Sequence, residues 1–240
     1  LPLTYSSLVT TPVVTTIHGF SSPGILPVYK KYNKKTYYVS ISGADRSPEL
    51  DYIKTIYHGI DLNRFTFEPE PENYLLFFGR IHSDKGAREA IEIARACGKK
   101  LILAGIVQDE DYYRQHVEPY LEDKKIVYIG SVGPEERNTI LGRALAMLHP
   151  INFNEPFGLS VIEANACGAP VIAFNRGSMA ELIENGKNGF LVNDVDEAVE
   201  AVRKTEGIDR MTCRNYVEQS FTVERMVDEY IEVYKRIVKL

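Results

Sequence analysis

Two glutamates and a basic pair carry most of the chemistry this sequence offers. Glu155 stands in Asn154-Glu-Pro-Phe-Gly-Leu159, and Glu163 follows it after seven intervening residues. Pro156 fixes a backbone angle at a helix start, and Leu159 to Cys167 is rich in helix formers and small apolar groups. Glu155 therefore precedes a helix and Glu163 lies about two turns inside it. Leu159, Val161, Ile162, Ala164 and Ala166 surround Glu163, so that carboxylate is expected to be buried and to need a partner. The free N–H groups at the helix start can hold a phosphate, and the dipole favours that anion. One carboxylate before the helix and one within it would then bind hydroxyls on either side of the phosphate. The ribose, diphosphate and sugar of a nucleotide sugar have that layout. Chemistry alone leaves a second reading open, with Glu155 a solvated loop residue and Glu163 a structural ion pair.

Arg80 and Lys85 lie in one loop after one strand. Arg offers a planar fork and Lys a point charge, so the pair can neutralise a diphosphate. Taken alone, such a pair is an ordinary solvated loop. His18 closes a strand rich in β-branched residues, Thr11 to Ile17, and ligand crevices in α/β folds lie outside such strand ends. Taken alone, it too is an ordinary loop residue.

The elements that must position these groups alternate along the chain. Strands are expected at Thr11–Ile17, Thr36–Ile41, Ile53–Tyr57, Tyr74–Phe78, Lys100–Ala104, Ile126–Ile129, Ala146–His149, Val171–Phe174 and Asn188–Val192. Helices are expected at Ile25–Asn33, from a polar start near Gly43–Arg46, and at Ala87–Cys97, Asp109–Leu121, Glu135–Leu145, Gly177–Ile183 and Asp194–Lys204. Leu1–Leu8 reads as a helix end, and two further helices fill Ile208–Leu240. This alternation implies an α/β fold with doubly wound, Rossmann-like parallel sheets. No glycine-rich dinucleotide fingerprint or P-loop follows any strand, which counts against an ordinary dehydrogenase or ATPase. A net charge of -5 over 240 residues gives no global basic field for nucleic acid, and no apolar run reaches membrane-spanning length. Cys97, Cys167 and Cys213 are scattered and lack metal-ligand spacing, as expected of small core residues in a reducing compartment.

Glu155-Pro-Phe-Gly-Leu with Glu163-Ala resembles the signature of the retaining GT-B glycosyltransferases, most closely family four, the glycosyl transferases group 1. Gly79-Arg80-Ile81-His82-Ser83-Asp84-Lys85-Gly86 is a second match, about seventy residues before the first and in the correct order. His58-Gly59-Ile60-Asp61, with Phe65, is similar to the family's interdomain linker, although His58 stands where Asn is usual. The resemblance implies a nucleotide-sugar site built from Gly79, Arg80, Lys85, Val132, Glu155, Phe157, Gly158, Leu159, Ser160 and Glu163. Glu163 would bind the ribose and Glu155 the hydroxyls of the transferred sugar. Backbone groups from Phe157 to Leu159 would approach the sugar and phosphates, and the loop holding Val132 would lie near the base. Arg80 and Lys85 would bind the departing diphosphate, and His18 would face the donor sugar. His18, Glu155, Arg80 and Lys85 are thus the expected catalytic groups.

The implied activity is that of a hexosyltransferase-type enzyme. It would move a sugar from a nucleoside diphosphate sugar, such as a UDP or GDP sugar, to an acceptor hydroxyl with retention. No cofactor is expected, since the donor is a substrate, and no metal is required, since Arg80, Lys85 and the helix start near Gly158 would stabilise the leaving diphosphate; in the family the donor phosphate assists deprotonation of the acceptor. The acceptor is left open among glycan, lipid and small molecule, no nucleic-acid partner is expected, and the expected location is cytoplasmic or peripheral at the membrane. The implied organisation is a partial N-terminal domain with its linker over residues 1–66 and a complete C-terminal, nucleotide-sugar-binding domain over 67–220. A terminal helix over 221–240 would cross back. The proline- and acid-rich run Glu68–Glu72 marks the break. Leu1 opens the chain without a signal-peptide pattern, and the opening strand and glycine-rich acceptor loop are not seen, so a fragment, a processed chain or a split chain is expected. A second chain or a missing segment would then cover apolar sheet edges. A non-catalytic or partner-dependent nucleotide-sugar-binding subunit is the alternative.

Overall fold

The computed structural model describes residues 2–19 and 21–239; Phe20 and the expected last helical residue, Leu240, lie outside the described residues. Two all-parallel sheets organise the chain. The first holds β1 (Val14–Ile17), β2 (Tyr37–Ser40) and β3 (Tyr52–Thr55), in that order. The second holds β4 (Tyr74–Phe78), β5 (Lys100–Ala104), β6 (Ile126–Gly130), β7 (Ala146–His149), β8 (Val171–Phe174) and β9 (Gly189–Val192). Its spatial order is β6-β5-β4-β7-β8-β9, so the winding reverses between β4 and β7. Such a reversal opens a crevice outside the carboxyl ends of the two strands.

The strand sequences explain the layering. β4 reads Tyr-Leu-Leu-Phe-Phe and β8 Val-Ile-Ala-Phe, continuous apolar runs that suit a sheet covered on both faces. Successive side chains point to opposite faces. Leu76, Met147 and Val171 join α4 (Pro134–Arg143), α5 (Leu159–Ala166) and α8 (Arg210–Ser220) in one core. Leu75, Phe77, Leu148 and Ile172 join α2 (Ala87–Cys97) and α7 (Val195–Lys204) in the other.

Several expected boundaries move. The polar helix expected over Asp109–Leu121 is broken into α3 (Glu110–His116) and a 3-10 turn at Glu118–Tyr120, where Pro119 lacks the N–H a continuing helix needs. No helix starts near Gly43–Arg46. The N–H groups of Gly43 and Ala44 donate instead to the two Glu181 carboxylate oxygens, at 2.8 Å each, and the Asp45 N–H donates to Ser42 Oγ at 3.0 Å. Pro2–Leu8 is a 3-10 helix, and short helices α1 (Leu26–Tyr32) and α6 (Met179–Leu182) complete the set before α8.

The last helix, α9 (Val223–Val238), starts at Thr222, whose hydroxyl accepts the Arg225 N–H, and returns to the first sheet. There Val233 and Ile237 pack with Val39 and Ile56, and Tyr230 shares a 2.8 Å hydrogen bond with Thr16. The two sheets are also joined by Ser42 Oγ, which donates to the Pro156 carbonyl at 2.6 Å, and by Tyr57, whose hydroxyl donates to Glu181 at 2.9 Å. Among the described residues, no helix is long and apolar enough to cross a membrane.

Candidate active site

The loops that follow β4 and β7 meet at the point where the winding reverses. Lys85, from the first loop, bonds Glu155, from the second, with Nζ 2.5 Å from Oε2. Asn152 stitches the two loops together. Its N–H donates to the Asp84 carbonyl at 2.7 Å, and its side-chain amide donates to the Ser83 carbonyl at 3.2 Å and to Glu89 at 3.0 Å. The Lys85 ammonium also lies 4.6 Å from the centre of the Phe153 ring, a cation–π distance. Arg80 is held by Gln108 and, at 3.5 Å, by Asp84.

A turn at residues 176–178 sets the backbone of the Glu155 loop. Gly177 has φ of +60°, and a Cβ there would fall 2.3 Å from the Glu155 carbonyl oxygen, so the approach requires glycine. The Ser178 N–H donates to that carbonyl at 2.9 Å, and Ser178 Oγ donates to the Phe157 carbonyl at 2.6 Å. Gly158, with φ of +101°, then turns the chain into α5. No side chain caps α5, so its first N–H groups are available to an anion.

A cleft of about 260 Å³ opens here, walled by Phe77, Phe78, Gly79, Arg80, Lys85, His149, Leu159, Ser160 and Glu163. Six of the expected residues, Gly79, Arg80, Lys85, Leu159, Ser160 and Glu163, are thus brought into one wall, and Glu155 is bonded directly to one of them, Lys85. Phe157 and Gly158 are buried behind the wall. Glu163 is largely buried, its side chain 14% exposed, and Arg137 of α4 lies 3.2 Å from it. Burial raises the Glu163 carboxyl above its ordinary value, against the opposing charges of Arg137 and Arg64. Val132 packs against the core on the α5 side and is not part of the cleft wall.

His18 stands outside the wall as well. It is exposed and stacks on His58, with ring centres 5.2 Å apart, and His58 meets Phe157 edge-on at 5.0 Å. Two ring contacts therefore connect His18 to the Glu155 loop. Burial, and then the charge of His18, lower the His58 imidazole below its ordinary value.

Two residues were not singled out by the sequence reading. Arg137 is one charge among Glu135, Glu136 and Arg143 on a polar helix, and nothing in the pattern aims it at Glu163. His149 ends β7 and is only 6% exposed. Burial, and then the Lys85 charge, push its imidazole down to about 3, so it is neutral. Its one sequence signal is a polar residue closing an otherwise apolar strand.

The glycosyl transferases group 1 family model matches residues 60–220. The chain belongs to that family. It is 27% identical over 218 residues to the "Uncharacterized 41.2 kDa protein in cps region" of Klebsiella pneumoniae, covering 83% of this chain and 60% of that protein. The structure of AviGT4, a glycosyltransferase involved in avilamycin A biosynthesis, superposes with a TM-score of 0.72 at 27% identity, over 84% of this chain and 63% of AviGT4. That of Anabaena Alr3699/HepE, in complex with UDP and glucose, superposes with a TM-score of 0.83 at 20% identity, over 98% of this chain and 74% of that one. The group 1 member described here thus has the Rossmann-like sheets of the GT-B glycosyltransferase structures, and it spans about 60% of the length of the Klebsiella relative.

Proposed function

We propose that this chain carries the donor site of a metal-independent, retaining glycosyltransferase that moves a sugar from a nucleoside diphosphate sugar to an acceptor hydroxyl. The observation that carries the reading is the meeting of Arg80, Lys85, Glu155, Glu163 and the uncapped start of α5 at the β4/β7 switch point. In the reaction, the bond between the anomeric carbon and the β-phosphate oxygen breaks, and negative charge builds on the leaving diphosphate. Arg80, Lys85 and the α5 N–H groups stabilise that charge electrostatically, supplying what a metal would otherwise supply. The acceptor oxygen bonds to the same face of the anomeric carbon, and its proton passes to the leaving phosphate.

Glu163 takes the ribose hydroxyls, with Arg137 holding the carboxylate in place. Glu155 takes the hydroxyls of the sugar, near the Phe157–Leu159 backbone. Val132 lies toward the base, and His18, through its stack on His58, borders the sugar side. Complexes of HepE with UDP and UDP-glucose support a nucleotide sugar as ligand of this fold. Calorimetric titration with UDP, GDP, ADP and their sugars tests the reading, with Glu163→Ala as control. Binding of one nucleotide that the control loses is the expected result. A folded chain that binds none of them refutes the donor site. Binding without hydrolysis or transfer would favour the second reading, a donor-binding subunit that needs a partner.

A further inference from the structure

We infer that His149 is a positioning residue: it takes over the Glu155 carboxylate as a diphosphate draws Lys85 away. The inference rests on the donor-site reading above. Lys85 is wanted in two places. The structure bonds it to Glu155 at 2.5 Å, with side chains only 17% and 14% exposed, while the donor reading sends it to the diphosphate. Whatever share of the ammonium the diphosphate takes is lost to Glu155. A largely buried carboxylate that loses its cation is strongly disfavoured unless another donor replaces it.

The structure places such a donor beside the same oxygen. His149 Nε2 lies 3.9 Å from Glu155 Oε2, on the wall of the same cleft as Lys85. That nitrogen is buried and has no hydrogen-bond partner among the described residues. Buried polar atoms are nearly always bonded, so the orphan calls for a role. A distance of 3.9 Å is too long for a hydrogen bond, but a shift of about 1 Å, or a turn of the carboxylate, closes it. The neutral imidazole donates one N–H and brings no positive charge. It can therefore support the glutamate without competing for the diphosphate, and no proton changes hands. The neighbouring β7 residues, Ala146, Met147 and Leu148, are fully buried and apolar, so packing alone gives no reason for an imidazole at 149.

The test is a double-mutant cycle read by calorimetry with UDP, GDP and ADP, using whichever the wild-type chain binds. His149→Phe should weaken that binding about tenfold, the worth of one hydrogen bond to a charged group. His149→Gln, which keeps an N–H donor, should restore it to within about threefold. In a Glu155→Gln background, where Lys85 leaves no charge behind, His149→Phe should change the affinity less than twofold. Equal losses in both backgrounds would mean a packing role and overturn the inference. Should His149→Phe fail to fold, 15N NMR of the wild-type imidazole decides: its Nε2 signal should move on adding the nucleoside diphosphate, and an unmoved signal overturns the inference. A wild-type chain that binds no nucleotide would fail the donor-site reading itself, a result distinct from binding with an additive cycle.

Discussion

Glu155→Gln should tighten the binding of a bare nucleoside diphosphate while reducing sugar transfer. The direction follows from the Lys85–Glu155 bond at 2.5 Å. Between unit charges at that distance, the Coulomb attraction is roughly 1.7 kcal/mol at the dielectric of water and about 6–7 kcal/mol at an effective value near 20. The net worth is smaller, because both groups are desolvated; a hydrogen bond to a charged group nets about 1.5–3 kcal/mol. Glutamine keeps the shape and still accepts from Lys85, so part of that survives. A gain of about 1–2 kcal/mol remains, or roughly 5- to 30-fold tighter binding. Loss of a negative charge beside the phosphates acts in the same direction. For the sugar nucleotide, the weaker bonds of the amide to the sugar hydroxyls oppose the gain. Calorimetry with the nucleoside diphosphate and its sugar, at low and high salt, reads both effects. A folded Glu155→Gln chain that binds the diphosphate no more tightly than the wild type would refute the idea that Lys85 is traded between carboxylate and phosphate.

Other substitutions probe the neighbouring parts. Arg80→Ala should weaken diphosphate binding about tenfold or more, with a smaller salt dependence than the wild type and little change in Tm, because among the described residues Arg80 is held by the side chains of Gln108 and Asp84 alone; unchanged affinity would remove Arg80 from the site. Gly158→Ala should destabilise the chain by about 1–3 kcal/mol in urea unfolding, since φ is +101° and the new Cβ would fall 2.7 Å from Met179 Cε; a neutral result would mean that the α5 start is not strained by a side chain. Asp45 is only 1% exposed, and neither carboxylate oxygen has a hydrogen-bond partner among the described residues. Burial raises its carboxyl from 3.8 to about 7, so the folded chain holds a proton that the unfolded chain has already released across that interval. Its burden is absent below pH 3.8 and grows as pH rises toward 7. Asp45→Asn should therefore stabilise by about 1–3 kcal/mol at pH 8 and hardly at all at pH 4; equal effects at both would refute the assignment.

Much of the site was legible because its parts are local. The strand β4 and the helix α2 fall where apolar runs and helical spacing placed them, and Arg80, Lys85 and the Glu155 helix lie next to strand ends that the pattern marks. What stayed hidden depends on long-range contacts. Arg137 meets Glu163 from a helix whose first turns are polar, and His149, although close to Glu155 in sequence, gains its meaning from the Lys85 that a distant loop brings to that carboxylate. The turn at Gly43 replaces an expected helix because a distant glutamate, Glu181, binds its N–H groups. His18 ends its strand as expected, but its reach to the Glu155 loop runs through the ring of His58, the residue that departs from the family's linker pattern.

Both glutamates of the site are bonded to a cation of the protein, Glu155 to Lys85 and Glu163 to Arg137. The two pairs answer different demands. Arg137 is no member of the cleft wall and bonds one Glu163 oxygen from α4, so on the proposed donor reading it would stay on Glu163 while the other oxygen took a hydroxyl. Lys85 belongs to the wall, and on the proposed donor reading it would be shared with the phosphates, so Glu155 would be the carboxylate whose environment changes as a donor binds. Substitutions at Arg137 should then act on nucleosides and sugar nucleotides alike through the orientation of Glu163. Substitutions at Lys85 should separate ligands by their phosphates. Comparing a nucleoside with its diphosphate across Arg137→Gln and Lys85→Gln chains puts that asymmetry to measurement, and parallel losses for both ligands in both chains would refute it.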